Sequence, residues 1–144
     1  MKVLEFIVEC EPVSKLRHRT TKSGHKFTPA KCVAAERRVK LEADTAAITN
    51  NWTKAKRGEP LKVVIAFGMT MPKSWSEKKK TKLYMEPCCK KPDLDNLVKL
   101  VFDAINGNKK DPSRVWEDDD QVTEIHATKY WAYFGSTSVE ITRL

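Results

Sequence analysis

Residues 61–70 read LKVVIAFGMT, a nearly continuous apolar run. A run of this length and composition suits a strand in the middle of a sheet rather than at its edge. Upstream, Lys56-Arg57-Gly58-Glu59-Pro60 is a break. Before the break, Cys32, Ala35, Val39, Ala43 and Ala46 recur at helical spacing and predict a helix over about 29–50. Thr28-Pro29 has the form of an N-cap followed by proline at the first helical position. The small residues of the stripe suit close packing on a sheet, with Arg37, Arg38 and Lys40 on the other face. Residues 2–9 (KVLEFIVE) read as a first strand, and residues 15–27 as a basic loop or open hairpin. Downstream, 71–92 is a long lysine- and proline-rich surface loop with room for a short helix near 76–83. Leu94, Leu97, Val98, Val101 and Ile105 then mark a helix over 94–106, stopped by Asn106-Gly107-Asn108. Two strands, about 121–131 and 137–143 with a turn at Gly135, close the chain. The order β, α, β, α, β, β predicts an α+β fold. One small domain over residues 1–144 is expected, a mixed sheet of about four strands with two α-helices packed on it.

The chain has 144 residues, with 40% hydrophobic and 32% charged, as expected of a globular protein of one domain. Its four cysteines (10, 32, 88 and 89) show no C-x-x-C spacing, and adjacent Cys88 and Cys89 make a poor disulfide. Reduced thiols in a cytoplasmic setting are expected. The opening MKVLEFIVEC is broken by Glu5 and Glu9, unlike a signal peptide, and no stretch approaches the roughly 20 apolar residues of a membrane span. The net charge of +8 favours a polyanionic partner, most simply nucleic acid.

Against that basic background the aspartates are clustered. Seven of the eight lie between residues 93 and 120, with Asp93 and Asp95 at a helix start and Asp118-Asp119-Asp120 before a strand. Each piece has a structural reading. Asp is favoured at N-caps and in first turns, Asp95 and Lys99 form an i, i+4 pair, and a run of acids before a strand is ordinarily a turn. Together they also have a chemical one. Clustered carboxylates repel unless protons or cations neutralise them, and hard dications such as Mg²⁺ take one or two carboxylates plus water and phosphate. Lys99, one turn beyond Asp95, can set a positive charge against a phosphate. These are the parts of a metal-dependent phosphodiesterase.

Lys91–Ala104 reads K-P-D-L-D-N-L-x-K-x-x-x-D-A, and Trp116–Val122 reads W-x-D-D-x-Q-V. The two blocks, in this order, resemble the RusA family of Holliday junction resolvases. So do Pro12, Lys15 and Arg17 of an early P-x-x-K-x-R segment, Phe27-Thr28-Pro29, the M-P-K-S-W-S loop around Trp75, and Lys129-Tyr130. The resemblance implies a homodimeric, DNA-binding endodeoxyribonuclease that uses Mg²⁺, or Mn²⁺, to make paired nicks in four-way junctions during recombination and repair. By position it implies Asp93, Asp95 and Asp119 as catalytic acids and metal ligands, Lys99 as catalytic lysine, and Asp118 as a supporting ligand. Asn96 and Asp103 also match the motif without an assigned role. The segment Asn108–Arg114 (NKKDPSR) is longer than the usual link, and Asp120 stands where a small or neutral residue is expected. Trp116 and Gln121-Val122 therefore place the third acid. If the acids were extended, alternation would turn Asp118 and Asp120 one way and Asp119 the other.

The basic segments would track the DNA backbone: Lys15, Arg17 and Arg19, then Lys73, Lys78 and Lys79, then Lys90 and Lys91, with Lys129. Phe27 and Trp75 fit a packing role before a base-stacking one. Paired cuts suggest a dimer with two identical sites. Two rivals stand beside a junction resolvase: a metal-dependent nuclease acting on other branched DNA or on RNA, and a non-catalytic DNA-binding accessory protein.

Overall fold

The structure, a computed structural model, describes residues 3–16 and 19–144. Val3–Val8 forms β1, Arg19–Thr20 and Lys26–Phe27 pair as the short ribbon β2–β3, and Ala30–Thr49 forms α1. Leu61–Thr70 forms β4, Glu77–Leu83 α2, and Leu94–Asn106 α3. A 3₁₀ turn at Asp119–Gln121 leads into β5 (Val122–Ala132), followed by β6 (Ser136–Arg143).

The main sheet has the order β1-β6-β4-β5, with β4 antiparallel to β6 and parallel to β5. It is the expected four-stranded mixed sheet, and the run at 61–70 takes an interior place in it. Leu4, Phe6 and Val8 of β1, Leu61, Val63, Ile65 and Phe67 of β4, and Val139 and Ile141 of β6 are buried. Their period-two spacing puts them on one face. Against this face pack Cys32, Val39, Ala43 and Ala47 of α1 and Leu97, Leu100, Val101, Ala104 and Ile105 of α3. The other face carries Glu5, Ile7, Val64 and Glu140, and Ile7 is 55% exposed. The third helix, α2, buries no residue, so the two packed helices are α1 and α3. Among the described residues no helix is long and apolar enough to cross a membrane.

Two local expectations need correction. Pro29 is the N-cap rather than the first helical residue: its ψ of 141° is extended, and α1 begins at Ala30. Lys40 is not on a solvated face; it is only 9% exposed. Its ammonium bonds Asp44 (2.6 Å) and the Pro112 carbonyl (3.2 Å) and pairs with Asp111 (3.2 Å). Burial of a charge is tolerable only with such partners. Here they tie α1 to the segment after α3.

That segment is anchored at both ends. Gly107 has φ +68°, and a Cβ there would stand 2.3 Å from the Asp111 carbonyl oxygen and 2.9 Å from Lys40 Cε. Only glycine fits so close an approach at that φ. At the far end, the Val115 carbonyl accepts from Ala55 N and from Trp52 Nε1, both at 2.9 Å.

Candidate active site

The extended backbone of Asp93 (φ −69°, ψ 142°) makes it the N-cap of α3. Its carboxylate makes no capping hydrogen bond, so its oxygens are not committed to the first-turn amides. Lys91 pairs with it at 3.7 Å. Asp95 is exposed one residue into the helix. The approach to the helix is held from β5. Lys129 Nζ donates to the Pro92 carbonyl at 2.8 Å and also to the Lys90 carbonyl, while Cys88 N donates to the Lys129 carbonyl at 3.0 Å. The ammonium of Lys129, expected to face DNA, thus fastens the loop that carries Asp93. Asp93 lines a cleft of about 610 Å³ with Glu11, Lys31, Lys90, Lys91 and Asn96.

Asp95, Lys99, Asp103 and Asn106 follow one another along a single face of α3, at i, i+4, i+8 and i+11. The expected Asp95–Lys99 ion pair is absent among the described residues. Lys99 instead stands 3.8 Å from Asp103, with its side chain 62% exposed. Asp103 also meets Lys15 at 3.3 Å, and Lys15 bonds Glu36 at 2.5 Å. Burial works to lower the Lys15 pKa. The Glu36 hydrogen bond and charge, with Asp103 behind them, outweigh it and hold the ammonium above the ordinary lysine range. Lys15 therefore ties α1 to α3.

The second acidic block is organised by Gln121, which is buried. Its carbonyl oxygen accepts from Glu117 N (2.8 Å) and Asp118 N (3.1 Å), and its amide donates to the carbonyls of Lys56 (2.8 Å) and Glu59 (3.2 Å). The chain is thereby curled into a 3₁₀ turn. Alternation does not apply beyond Asp118, the last extended residue (φ −157°, ψ 156°). Asp118 turns inward to accept from Asp119 N at 2.8 Å, and Asp120 is exposed. Asp119 faces α3. Asn106 Nδ2 donates to its Oδ2 at 3.1 Å, and Asn106 Oδ1 accepts from Trp116 Nε1 at 2.6 Å. Trp116 is fully buried and packs edge-on against Phe102, 5.5 Å between centroids. Burial raises the Asp119 pKa. The Asn106 donor opposes this, but the Asp118 and Asp103 charges add to it, and the carboxyl sits above its ordinary value.

The acids thus stand in two groups, Asp93 and Asp95 at the start of α3 and Asp118 and Asp119 beside its end. From Asp95 to Asn106 the helix rises about 16 Å. Among the described residues no group of three or more His, Cys, Asp or Glu side chains is placed to hold an ion by itself. The donors present are carboxylates, two to a group, which is the donor type and number that Mg²⁺ takes before water and phosphate complete its shell.

Of the other residues expected to meet DNA, Lys73, Lys78, Lys79, Lys90 and Lys91 are exposed, and Lys79 Nζ lies 4.3 Å from the centre of the Trp75 ring. Arg17, and the side chains of Arg19 and Phe27, lie outside the described residues. Trp75 packs against Trp131 at 4.8 Å. Asn106 was legible in the sequence only as part of a helix stop. Its spacing of eleven from Asp95, three turns along the same face, was the available signal.

Residues 9–142 match the family described as endodeoxyribonuclease RusA. The chain belongs to the RusA family. It is also 31% identical over 139 residues to the uncharacterized protein YqaN of Bacillus subtilis (strain 168), a match covering 92% of this chain and 90% of that protein. Membership of the RusA family sets the chain among endodeoxyribonucleases that resolve Holliday junctions.

Proposed function

We propose that this chain is a divalent-metal-dependent nuclease that cuts four-way DNA junctions by paired nicks, as a homodimer with two identical sites. The observation that carries this is the row Asp95, Lys99, Asp103 and Asn106 on one face of α3, with Asp93 at one end and Asp119 at the other, in a chain of net charge +8. Acids kept on a surface that must meet phosphates need a cation between them and the DNA. Asp93 and Asp95 at one end of α3, and Asp119 supported by Asp118 at the other, are the carboxylates that would take up Mg²⁺ or Mn²⁺. A strand lying along α3 would pass over both acid groups.

The bound ion would supply Lewis-acid polarisation of the phosphate and a more acidic water. The chain supplies the rest. Lys99 sets an exposed ammonium beside the phosphate, where negative charge builds as water adds and the P–O3′ bond breaks. The products are a 5′-phosphate and a 3′-hydroxyl. Asn106 fixes the direction of the Asp119 carboxylate through the buried Trp116 indole. Lys129 fixes the loop ahead of Asp93. Lys90 and Lys91, at the cleft, and Lys73, Lys78 and Lys79 bind flanking phosphates.

Asp95→Asn, with fixed and mobile junctions, flaps, linear duplex and RNA compared in Mg²⁺ at matched salt, is the test. Wild type should nick junctions selectively, while the variant keeps its fold and junction binding and loses cleavage. Unchanged cleavage by Asp95→Asn would remove the assigned chemistry. Equal cutting of linear duplex, or preference for flaps or RNA, would favour a nuclease of another specificity. Junction binding with no cleavage by wild type would favour an accessory protein.

A further inference from the structure

The turn joining β5 to β6 carries Phe134, whose side chain is 85% exposed. A lone exposed apolar residue needs no explanation, but Phe134 is not alone. Its neighbour Tyr133 (40% exposed) meets Tyr84 (47% exposed) with ring centres 5.2 Å apart and planes tilted by 41°, and Met85 is 58% exposed. Tyr84 is the C-cap of α2, a seven-residue helix about 10 Å long. This helix brings Lys78, Lys79 and Lys82 to the same region, all exposed. Among the described residues neither Lys78 nor Lys82 has an ion-pair partner; the one acid on α2, Glu77, pairs with Lys80.

The turn is also held firmly and borders the cleft of Asp93. A Cβ on Gly135 would stand 2.3 Å from Glu11 Oε2 and 2.5 Å from Glu11 Cα, so the turn lies directly on Glu11. Glu11 accepts from Thr70 N at 3.2 Å, and both residues line the cleft that contains Asp93. Met71 N donates to the Ala132 carbonyl at 2.9 Å just before the turn. An exposed aromatic ring on a turn whose backbone is fixed, near lysines and beside an active-site cleft, matches what unstacked nucleobases require. A flat π-face takes any base, and nearby cations take its phosphates.

We propose that Phe134 stacks on an unpaired or unstacked base of branched DNA whose backbone enters the Asp93 cleft, with Lys78, Lys79 and Lys82 on the adjoining phosphates. This rests on the reading of the chain as a nuclease for branched DNA. It adds a base-contacting residue on an element outside both acidic motifs.

The test uses the full chain, with EDTA to prevent cleavage, and a four-way junction carrying 2-aminopurine at its branch point. Wild type should change the probe's fluorescence. Phe134→Ala should abolish that change and weaken junction binding by roughly 5- to 150-fold, the range for loss of one base–aromatic stack. Its affinity for fully paired duplex should stay the same, and Phe134→Trp should restore both signals. An unaltered probe response and junction affinity in Phe134→Ala would overturn the proposal. So would an equal loss on duplex, or a change of oligomeric state showing that Phe134 meets a second copy of the chain. If wild type fails to cut branched DNA in Mg²⁺ or Mn²⁺, the nuclease assignment falls, and the EDTA experiment still decides the stacking.

Discussion

Asn106→Leu would break the link between α3 and the second acidic block. The Trp116 indole N–H would lose the acceptor it meets at 2.6 Å, on a residue with no exposed surface to admit water. Leaving a buried donor unsatisfied costs about 1–3 kcal/mol. An unfolding entropy of roughly 2.1 cal/mol/K per residue turns that cost into a fall in Tm of about 3–10 °C for a chain this long. Asp119 would lose the side-chain donor that opposes its desolvation, so junction cleavage should fall together with stability. Asn106→Asp separates the two effects. It keeps an acceptor for Trp116, removes the donor to Asp119 and adds a charge beside it. Cleavage should fall as far as in Asn106→Leu, with the indole environment preserved. Thermal melts by circular dichroism, tryptophan fluorescence and junction nicking together provide the readout. An unchanged Tm in Asn106→Leu, or full activity in Asn106→Asp, would refute the reasoning.

Two further outcomes are expected. Asp119 has a raised folded-state pKa, so its protonation stabilises the fold. That contribution is complete below the ordinary value of 3.8 and is lost as pH rises through the folded value. Asp119→Asn should therefore resist denaturant better than wild type at neutral pH, lose that advantage in acid, and fail to cut DNA. Denaturant titrations at the two pH values check this, and a variant less stable than wild type at neutral pH would contradict it. Gly107→Ala combines a φ of +68° with a Cβ 2.3 Å from the Asp111 carbonyl oxygen, whereas Gly24→Ala has a φ of +85° with nothing within 4 Å. The first should destabilise by more than the roughly 1–3 kcal/mol of backbone strain alone. The second should stay within that range, and equal melting points for the two would refute the steric account.

Leu94–Asn106 was legible to the residue because burial on one face imposes a period, and Leu61–Thr70 because an interior strand is an unbroken apolar run bounded by a break. Lys40 was misplaced because two of its three partners, Asp111 and the Pro112 carbonyl, lie some seventy residues away and leave no local trace. The strand order, with β4 parallel to β5, likewise depends on long-range pairing. At the site, the acids and Lys99 stood out by type and spacing. Their hydrogen bonding did not: Lys99 turns to Asp103, and Gln121 curls the acids that a strand pattern would have extended. The division of the acids between the two ends of α3 follows from helix geometry once the Asn106–Asp119 bond is known. Until then, nothing tells which turn of α3 the second block meets.

The segment between Gly107 and Val115 has a further consequence for how such a chain can vary. One end is locked by Gly107 lying on Asp111 and Lys40, the other by Val115 bonding to Ala55 and Trp52. Lys109 and Lys110 form the exposed tip of the turn inside the first lock, where Asn108 Oδ1 accepts from Lys110 N and Asp111 N, both at 2.9 Å. Residues gained or lost at that point change the length of the peptide without moving Asp119, because Asn106, Trp116 and Gln121 hold it independently. Spacing in sequence is thus uncoupled from spacing in space. The fold offers there an address where insertions can accumulate, or a label be grafted, while the acids keep their positions.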